Sequence, residues 1–361
     1  MSDSPGNLRE IRINPIVPTE SVLVATARGM RPKKEEERVE RDAREHVETC
    51  PFCRGNEHRT PAAISTFPAE GDWDIRIVPN LFPVLGDDSP QSSISFGLQQ
   101  VIDGYGRHEV IIDNANHGIA IQDMTAEHLA NLFLVYQQRM TELYESDDRL
   151  KYVLVFKNFG AAAGASIPHT HSQIIATPVI PENVQNEVFY SRQYFEKLNQ
   201  CVFCSLIDEA LTYEATIYDR DSGEIRRKID VGQYVIERGE KFVAIKPFAS
   251  RFEWEIHILP LTHQSNYMKA TEDDLADFAR VLKRTMSRLE KVVGGVQYNF
   301  FLHTQPRCDE FENCTDSYHW HLEICPRTSI PTGFELGSGL FVSTVSPEDA
   351  AQALREATIE D

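Results

Sequence analysis

The apolar positions of the chain form two successive runs that predict the same elements in the same order. In the first run, Ser21–Thr26, Ile75–Asn80 and His108–Ile112 alternate or stay apolar over short stretches, as strands do. Leu129, Leu132, Phe133, Tyr136, Met140 and Leu143 then recur at three- and four-residue steps, which predicts a long amphipathic helix starting at Thr125. Tyr152–Phe156 and His171–Ala176 read as strands again, flanking a small-residue loop from Gly160 to Gly164. The second run gives strands at Lys241–Ile245 and Trp254–Leu259, then a helix from Thr271 with Leu275, Phe278, Leu282 and Leu289 on one face. Asn299–Leu302 and His319–Ile324 close it as strands. One long helix among short strands, written twice, predicts an α+β fold of two duplicated domains, each a mainly antiparallel sheet with a long helix. The expected halves are residues 1–190 and 191–361, with the polar stretch around 180–200 as their junction.

A second repeat, of metal-binding residue types, runs in step with the first. Cys50-Pro-Phe-Cys53 is followed by His117 and His169-Thr-His171, and Cys201-Val-Phe-Cys204 by His263 and His319-Trp-His321. His169 follows Cys50 by 119 residues, and His319 follows Cys201 by 118. Two thiolates and two imidazoles per set are the ligands of a tetrahedral zinc site. If Cys50, Cys53, His117 and His169 fill one zinc, no coordination position is left open, so that site is structural.

Composition narrows the setting. The net charge of −19 argues against nucleic-acid or anionic-membrane partners, which need a cationic face, though a local cluster of donors could still hold a phosphorylated substrate. The opening residues have neither a basic nor an apolar leader region, and no stretch reaches the ~20 apolar residues of a membrane span. Seven cysteines, four of them in C-x-x-C pairs, fit thiolates kept reduced for metal better than a disulfide framework. A cytoplasmic enzyme is the expectation, set against a non-enzymatic zinc scaffold from another class. Cys308, Cys314 and Cys325 are expected as free thiols, and His108 and His257 as hydrogen-bonded core histidines. The charged stretch Lys33–Arg44 reads as solvated.

On a strand, residues two apart face the same side, so His169 and His171 are expected to point into one pocket. The loop Gly160–Ser166 offers backbone N–H groups to an anion at close range. A fixed neutral imidazole beside a phosphate cradle is suited to attack on phosphorus.

His171-Ser-Gln173, after Asn158-Phe-Gly-Ala-Ala-Ala-Gly-Ala-Ser166, resembles the galactose-1-phosphate uridylyltransferase branch of the histidine triad superfamily. The paired C-x-x-C motifs and Thr332-Gly-Phe-Glu-Leu-Gly-Ser-Gly339 resemble its ADP-glucose phosphorylase members. The family's His-Pro-His is His-Thr-His here. The resemblance implies a nucleotidyltransferase that moves a nucleoside monophosphate, UMP in the favoured reading, from a nucleotide sugar to a hexose 1-phosphate. ADP-glucose phosphorylase, with AMP passed to inorganic phosphate, is the alternative. The resemblance makes His171 the nucleophile and Gln173 the amide steadying the nucleotidylated histidine. It assigns Asn158 and Ser166 to the phosphates, Arg28 and Arg31 to a basic pair near the nucleotide, Asn80 and Phe82 to the base and ribose wall, and Glu335 to the sugar. It gives zinc to Cys50, Cys53, His117 and His169, and zinc or iron to Cys201, Cys204, His263 and His319. In other members a Glu and three His hold a metal instead. Their counterparts here are Glu187, His303, His319 and His321, and the shared His319 makes the two second-half sets mutually exclusive. A homodimer is likewise implied.

Overall fold

The computed structural model describes residues 8–30, 42–88, 92–307 and 314–359. Its centre is a ten-stranded antiparallel sheet. The five strands of the first half are β1 (Ser65–Phe67), β2 (Ile75–Pro79), β3 (Arg107–Ile112), β4 (Tyr152–Phe159) and β5 (His171–Thr177). Those of the second are β6 (Val235–Arg238), β7 (Phe242–Ile245), β8 (Ile256–Pro260), β9 (Tyr298–His303) and β10 (His321–Pro326). Across the sheet they run β1-β2-β3-β5-β4, then β9-β10-β8-β7-β6. The second half repeats the first in reverse, and the halves meet where β4 pairs with β9. The α+β duplication expected from the apolar pattern is therefore the architecture of the molecule.

Both long helices pack on one face. Ala126–Ser146 begins at Thr125, whose hydroxyl accepts from the N–H of His128, and Glu272–Val293 begins at a capping box of Thr271 and Asp274. Their apolar stripes close over Ile111, Val155, Ile174, Phe300, Leu322 and Ile258 in one continuous core. Strand alternation sends the intervening residues to the other face. There the second half is covered by helices Glu182–Leu198 and Val202–Thr212, and the first half by the segment around Cys50–Cys53.

Three local differences from the sequence expectation stand out. Residues 182–198, read as a polar junction, form a helix that buries Val184, Glu187, Val188 and Ser191, and the division at 190/191 lies inside it. Ser21–Ala25 is a strand, but it lies between Arg9–Ile13 and Phe341–Ser343 in a separate three-stranded sheet, so both ends of the chain share one layer. Hairpins at 93–102 and 214–230 add two further pairs. Residues 33–41 of the charged stretch lie outside the described residues. Among the described residues, no helix is long and apolar enough to cross a membrane.

Candidate active site and metal clusters

Cys50, Cys53, His117 and His169 converge, all buried, with ligand atoms within 4.8 Å of one another. Cys53 Sγ is 3.4 Å from His117 Nδ1 and 3.5 Å from His169 Nδ1, and Cys50 Sγ is 3.7 Å from His169 Nδ1. Zn–S and Zn–N bonds of about 2.3 and 2.0 Å give tetrahedral edges of about 3.5 Å, so the set fits a zinc ion. The Nε2–H of His169 donates to the carbonyl of Asn114 at 2.8 Å, turning the Nδ1 lone pair toward the sulfurs. Burial pushes the His169 imidazole down to about 4 and the Cys53 thiol up to about 11.

The second half repeats this arrangement. Cys204 Sγ is 3.3 Å from His263 Nδ1 and 3.6 Å from His319 Nδ1, and Cys201 completes the group. The Nε2–H groups donate to the carbonyls of Thr315 and Pro260. Hydrogen bonding from Cys201, then from the two imidazoles, lowers Cys204 to about 3, while Cys201 is raised.

A third group corrects the expected exclusion between ligand sets. Glu187, His303, His321 and Glu323 form their own buried cluster, with Glu323 in the place assigned to His319. His303 Nδ1 is 3.0 Å from Glu187 Oε1, and His321 Nε2 is 3.5 Å from Glu323 Oε1. His319 turns to the cysteines and His321 to the carboxylates, so the two groups coexist. Glu255 and His257 extend the third cluster through Glu323.

His171 stands apart from these ligands. β5 begins at His171, and the Phe52 ring lies against both imidazoles, its centre 6.2 Å from that of His169 and 5.2 Å from that of His171. His171 Nδ1 donates to the carbonyl of His169 at 2.8 Å, which leaves its Nε2 with the free lone pair. Burial lowers its basicity, a bond to the His169 carbonyl opposes that, and the charge of Lys157 lowers it further, so the ring is neutral near pH 7. Phe52, from within the first C-x-x-C, packs edge-on at 5.2 Å.

Beneath the strand, Lys157 Nζ donates to the His171 carbonyl at 3.0 Å, to Thr170 Oγ1 at 2.8 Å and to Asp113 Oδ2 at 2.6 Å. Asp113 also accepts from Ser172 and Tyr136, so every buried polar atom at this point has a partner.

Gln173 is oriented by His108, which the sequence alone presents only as a core histidine. The Val84 N–H donates to His108 Nδ1 at 3.2 Å, so the ring proton sits on Nε2 and donates to Gln173 Oε1 at 2.8 Å. With its carbonyl engaged, Gln173 keeps its NH₂ as the end left to donate. Asn80 accepts from the Phe82 N–H through Oδ1, and its Nδ2 stands 3.1 Å from the same His108 Nε2, which as a donor does not accept from it. The Phe82 side chain is 82% exposed.

Asn158 lies on β4, opposite Asn299 of β9. Ser166 is exposed and follows the loop, in which Gly160 and Gly164 take φ of +87° and +86°. Arg28 is exposed and Glu335 half-buried, and Arg28 helps hold the Glu335 carboxyl low, after the hydrogen bonds from Thr332. Among the described residues no hydrogen bond or ring contact links either to His171. Arg31 and Cys308 lie outside the described residues, Cys325 is a free thiol, and Cys314 is buried.

Residues 4–181 match the family model described as galactose-1-phosphate uridyl transferase, N-terminal domain. That first half carries the N-terminal domain of the galactose-1-phosphate uridylyltransferase family. It is 29% identical to an ADP-glucose phosphorylase of Arabidopsis thaliana over 97% of this chain and 93% of that protein. It is 26% identical to a galactose-1-phosphate uridylyltransferase of Thermotoga maritima over 98% of this chain and all of that protein. The crystal structure of an Arabidopsis thaliana ADP-glucose phosphorylase with bound ADP-glucose superposes with a TM-score of 0.80 at 27% identity, covering 98% of this chain and 100% of that one.

Proposed function

We propose that the chain is a nucleotidyltransferase that moves a nucleoside monophosphate, UMP in the favoured reading, from a nucleotide sugar to a hexose 1-phosphate. The observation that carries this is a neutral His171 with Nδ1 engaged and Nε2 free, beside an amide whose NH₂ is aimed by His108. The Nε2 lone pair attacks the α-phosphorus and the bond to the hexose 1-phosphate oxygen breaks, leaving nucleotidyl-His171. The phosphate of a second sugar phosphate then attacks the same phosphorus, and the N–P bond breaks. Gln173 donates a hydrogen bond to the phosphoryl oxygens but has no proton to give, which favours an anionic acceptor over water.

In this reading zinc at the Cys50 cluster is closed to substrate and anchors the residue two positions before the nucleophile. The Cys201 cluster holds zinc or iron, and the carboxylate-rich third cluster takes a further divalent ion. The first half supplies the nucleophile, and the free thiols suit a reducing cytoplasm. A homodimer belongs to the same reading. The hairpin at 93–102 supports it by exposing Ile94, Phe96, Leu98, Val101 and Ile102.

Incubation with UDP-glucose should raise the intact mass by one uridylyl group, and His171→Gly should abolish the rise. An unmodified mass with UDP-glucose and ADP-glucose alike would overturn the covalent mechanism. The second reading, AMP transfer from ADP-glucose to inorganic phosphate, is favoured by the ADP-glucose-bound relative. Turnover with ADP-glucose and phosphate but not with UDP-glucose and galactose 1-phosphate would select it.

A further inference from the structure

The second half carries no counterpart of the proposed nucleophile's chemistry, because His321 is tied up among carboxylates. It nevertheless builds one wall of a trough whose other wall includes Phe156, the cross-strand partner of Gln173. Where β4 meets β9, this trough of about 450 Å³ opens on the sheet face away from the two long helices, lined by Phe156, Asn158, Asn299, Phe301, Phe252 and Arg327.

Two side chains from the second half hold the Gly160–Gly164 loop. Gln297 Oε1 accepts from the Ala162 N–H at 2.7 Å, and a Cβ on Gly160 would collide with the Gln297 side chain. Asn299 Nδ2 donates both to the Ala163 carbonyl and to Asn158 Oδ1, each at 2.8 Å. The second bond fixes the orientation of the Asn158 amide. With its oxygen occupied, Asn158 can offer only its NH₂ to the trough, and a donor is what an anion requires.

Arg327 completes the set. Its backbone N–H donates to the Gln297 carbonyl at 2.7 Å, which ties it to the residue that holds the loop. Its guanidinium carbon lies 5.3 Å from the ring centre of Phe252, which fixes the side chain along the trough without satisfying its charge. The Nε is buried and has no hydrogen-bond partner. In a chain with 55 acidic and 36 basic residues, Arg327 meets no carboxylate in ion-pair range among the described residues. A half-buried guanidinium with an unmet donor, lining one trough with two amides, is short of an anionic oxygen.

We infer that Arg327, with the Asn299-oriented amide of Asn158, forms a subsite supplied by the second half for the phosphate that leaves and re-enters during transfer. Its ligand is a phosphate dianion, whether carried on a hexose 1-phosphate or free. This rests on the nucleotidyl-transfer reading above, but binding can be tested without transfer.

In the His171→Gly background, titrate the full-length, metal-loaded chain with glucose 1-phosphate and, separately, with inorganic phosphate, following heat of binding. Arg327→Met should weaken whichever phosphate binds by about tenfold or more, and Arg327→Lys should restore part of it. The two titrations distinguish the sources. With His171 present, Arg327→Met should raise by a similar factor the acceptor concentration that half-saturates discharge of the nucleotidyl-enzyme, and slow hydrolysis of that adduct by water should stay unchanged. Arg327→Gln keeps a planar group on Phe252 and replaces Met if melting shows a loss of fold. Unchanged phosphate binding in a folded, uncharged variant overturns the subsite. Arg327-dependent binding without any nucleotidyl adduct in the wild type would instead overturn the transfer reading and leave the subsite standing.

Discussion

The Nζ of Lys157 donates to the carbonyl oxygen of His171 across 3.0 Å, with both residues buried in the sheet. The same ammonium is 2.6 Å from Asp113, and the pair is fully enclosed. Lys157→Met removes one partner and leaves Asp113 as an uncompensated buried charge, which costs about 3–5 kcal/mol. The urea midpoint should fall accordingly, and adding Asp113→Leu should recover a large part of the loss. An unchanged midpoint in Lys157→Met would mean the ion pair does not hold the β5 strand.

In the proposed reading, metal and nucleophile are separable at the first cluster. Cys53→Ser should lose zinc and thermal stability together, because the buried ligand set loses a thiolate. Activity should fall only in proportion to folded, metal-loaded protein. His171→Gly should keep its zinc and its melting temperature while losing all nucleotidyl adduct. Metal analysis, melting curves and intact mass on the two variants decide this. Zinc loss in His171→Gly would show that ligand and nucleophile have been exchanged.

The sequence carries the strand and helix order, since each half buries one sheet face against one long helix and both leave periodic apolar residues. It also carries both Cys-His sets, because metal geometry demands those residue types. The cross-pairing of Phe341–Ser343 with Val22–Val24 is not legible, as a three-residue strand has no measurable period. Lys157 does leave a signal, a lone cation inside the apolar run Tyr152–Phe159, where an unpaired charge is rarely buried. His108 is harder. A buried histidine bonded to its neighbours looks the same in sequence whether its partner is a core residue or Gln173, and only the cross-strand geometry of β3 and β5 tells them apart.

The same limit explains the second-half metal sets. In sequence, His319 and His321 are two residues of one motif available to either set. Folding separates them, with His319 Nδ1 aimed at Cys204 and His321 aimed at Glu323. His319→Ala should therefore remove the ion of the cysteine cluster and spare the one at Glu187, His303, His321 and Glu323. His303→Ala should do the reverse. Metal content per chain after dialysis reads both, and loss of a single shared ion in both variants would restore mutual exclusion.

Lys246 supplies a pH-dependent test of the packing away from the active site. Its side chain is fully buried, and its Nζ donates to the carbonyls of Phe252 and Glu255. Burial pushes its basicity down to about 7, against the opposing pull of Glu255. The unfolded chain binds this proton up to about pH 10.4, so between pH 7 and pH 10 the unfolded state holds more protons than the folded one, and stability at this site rises with pH. Below pH 7 the folded state must carry the buried charge, and the full penalty applies. Lys246→Met removes the penalty, so its stability relative to the wild type should be greatest below pH 7. That advantage should shrink by up to about 1.4 kcal/mol per pH unit as pH rises toward 10. Denaturant midpoints for the two proteins from pH 6 to pH 10 measure the gap directly. A gap that stays constant with pH would mean Lys246 keeps its proton in the fold, satisfied by its two carbonyls and Glu255.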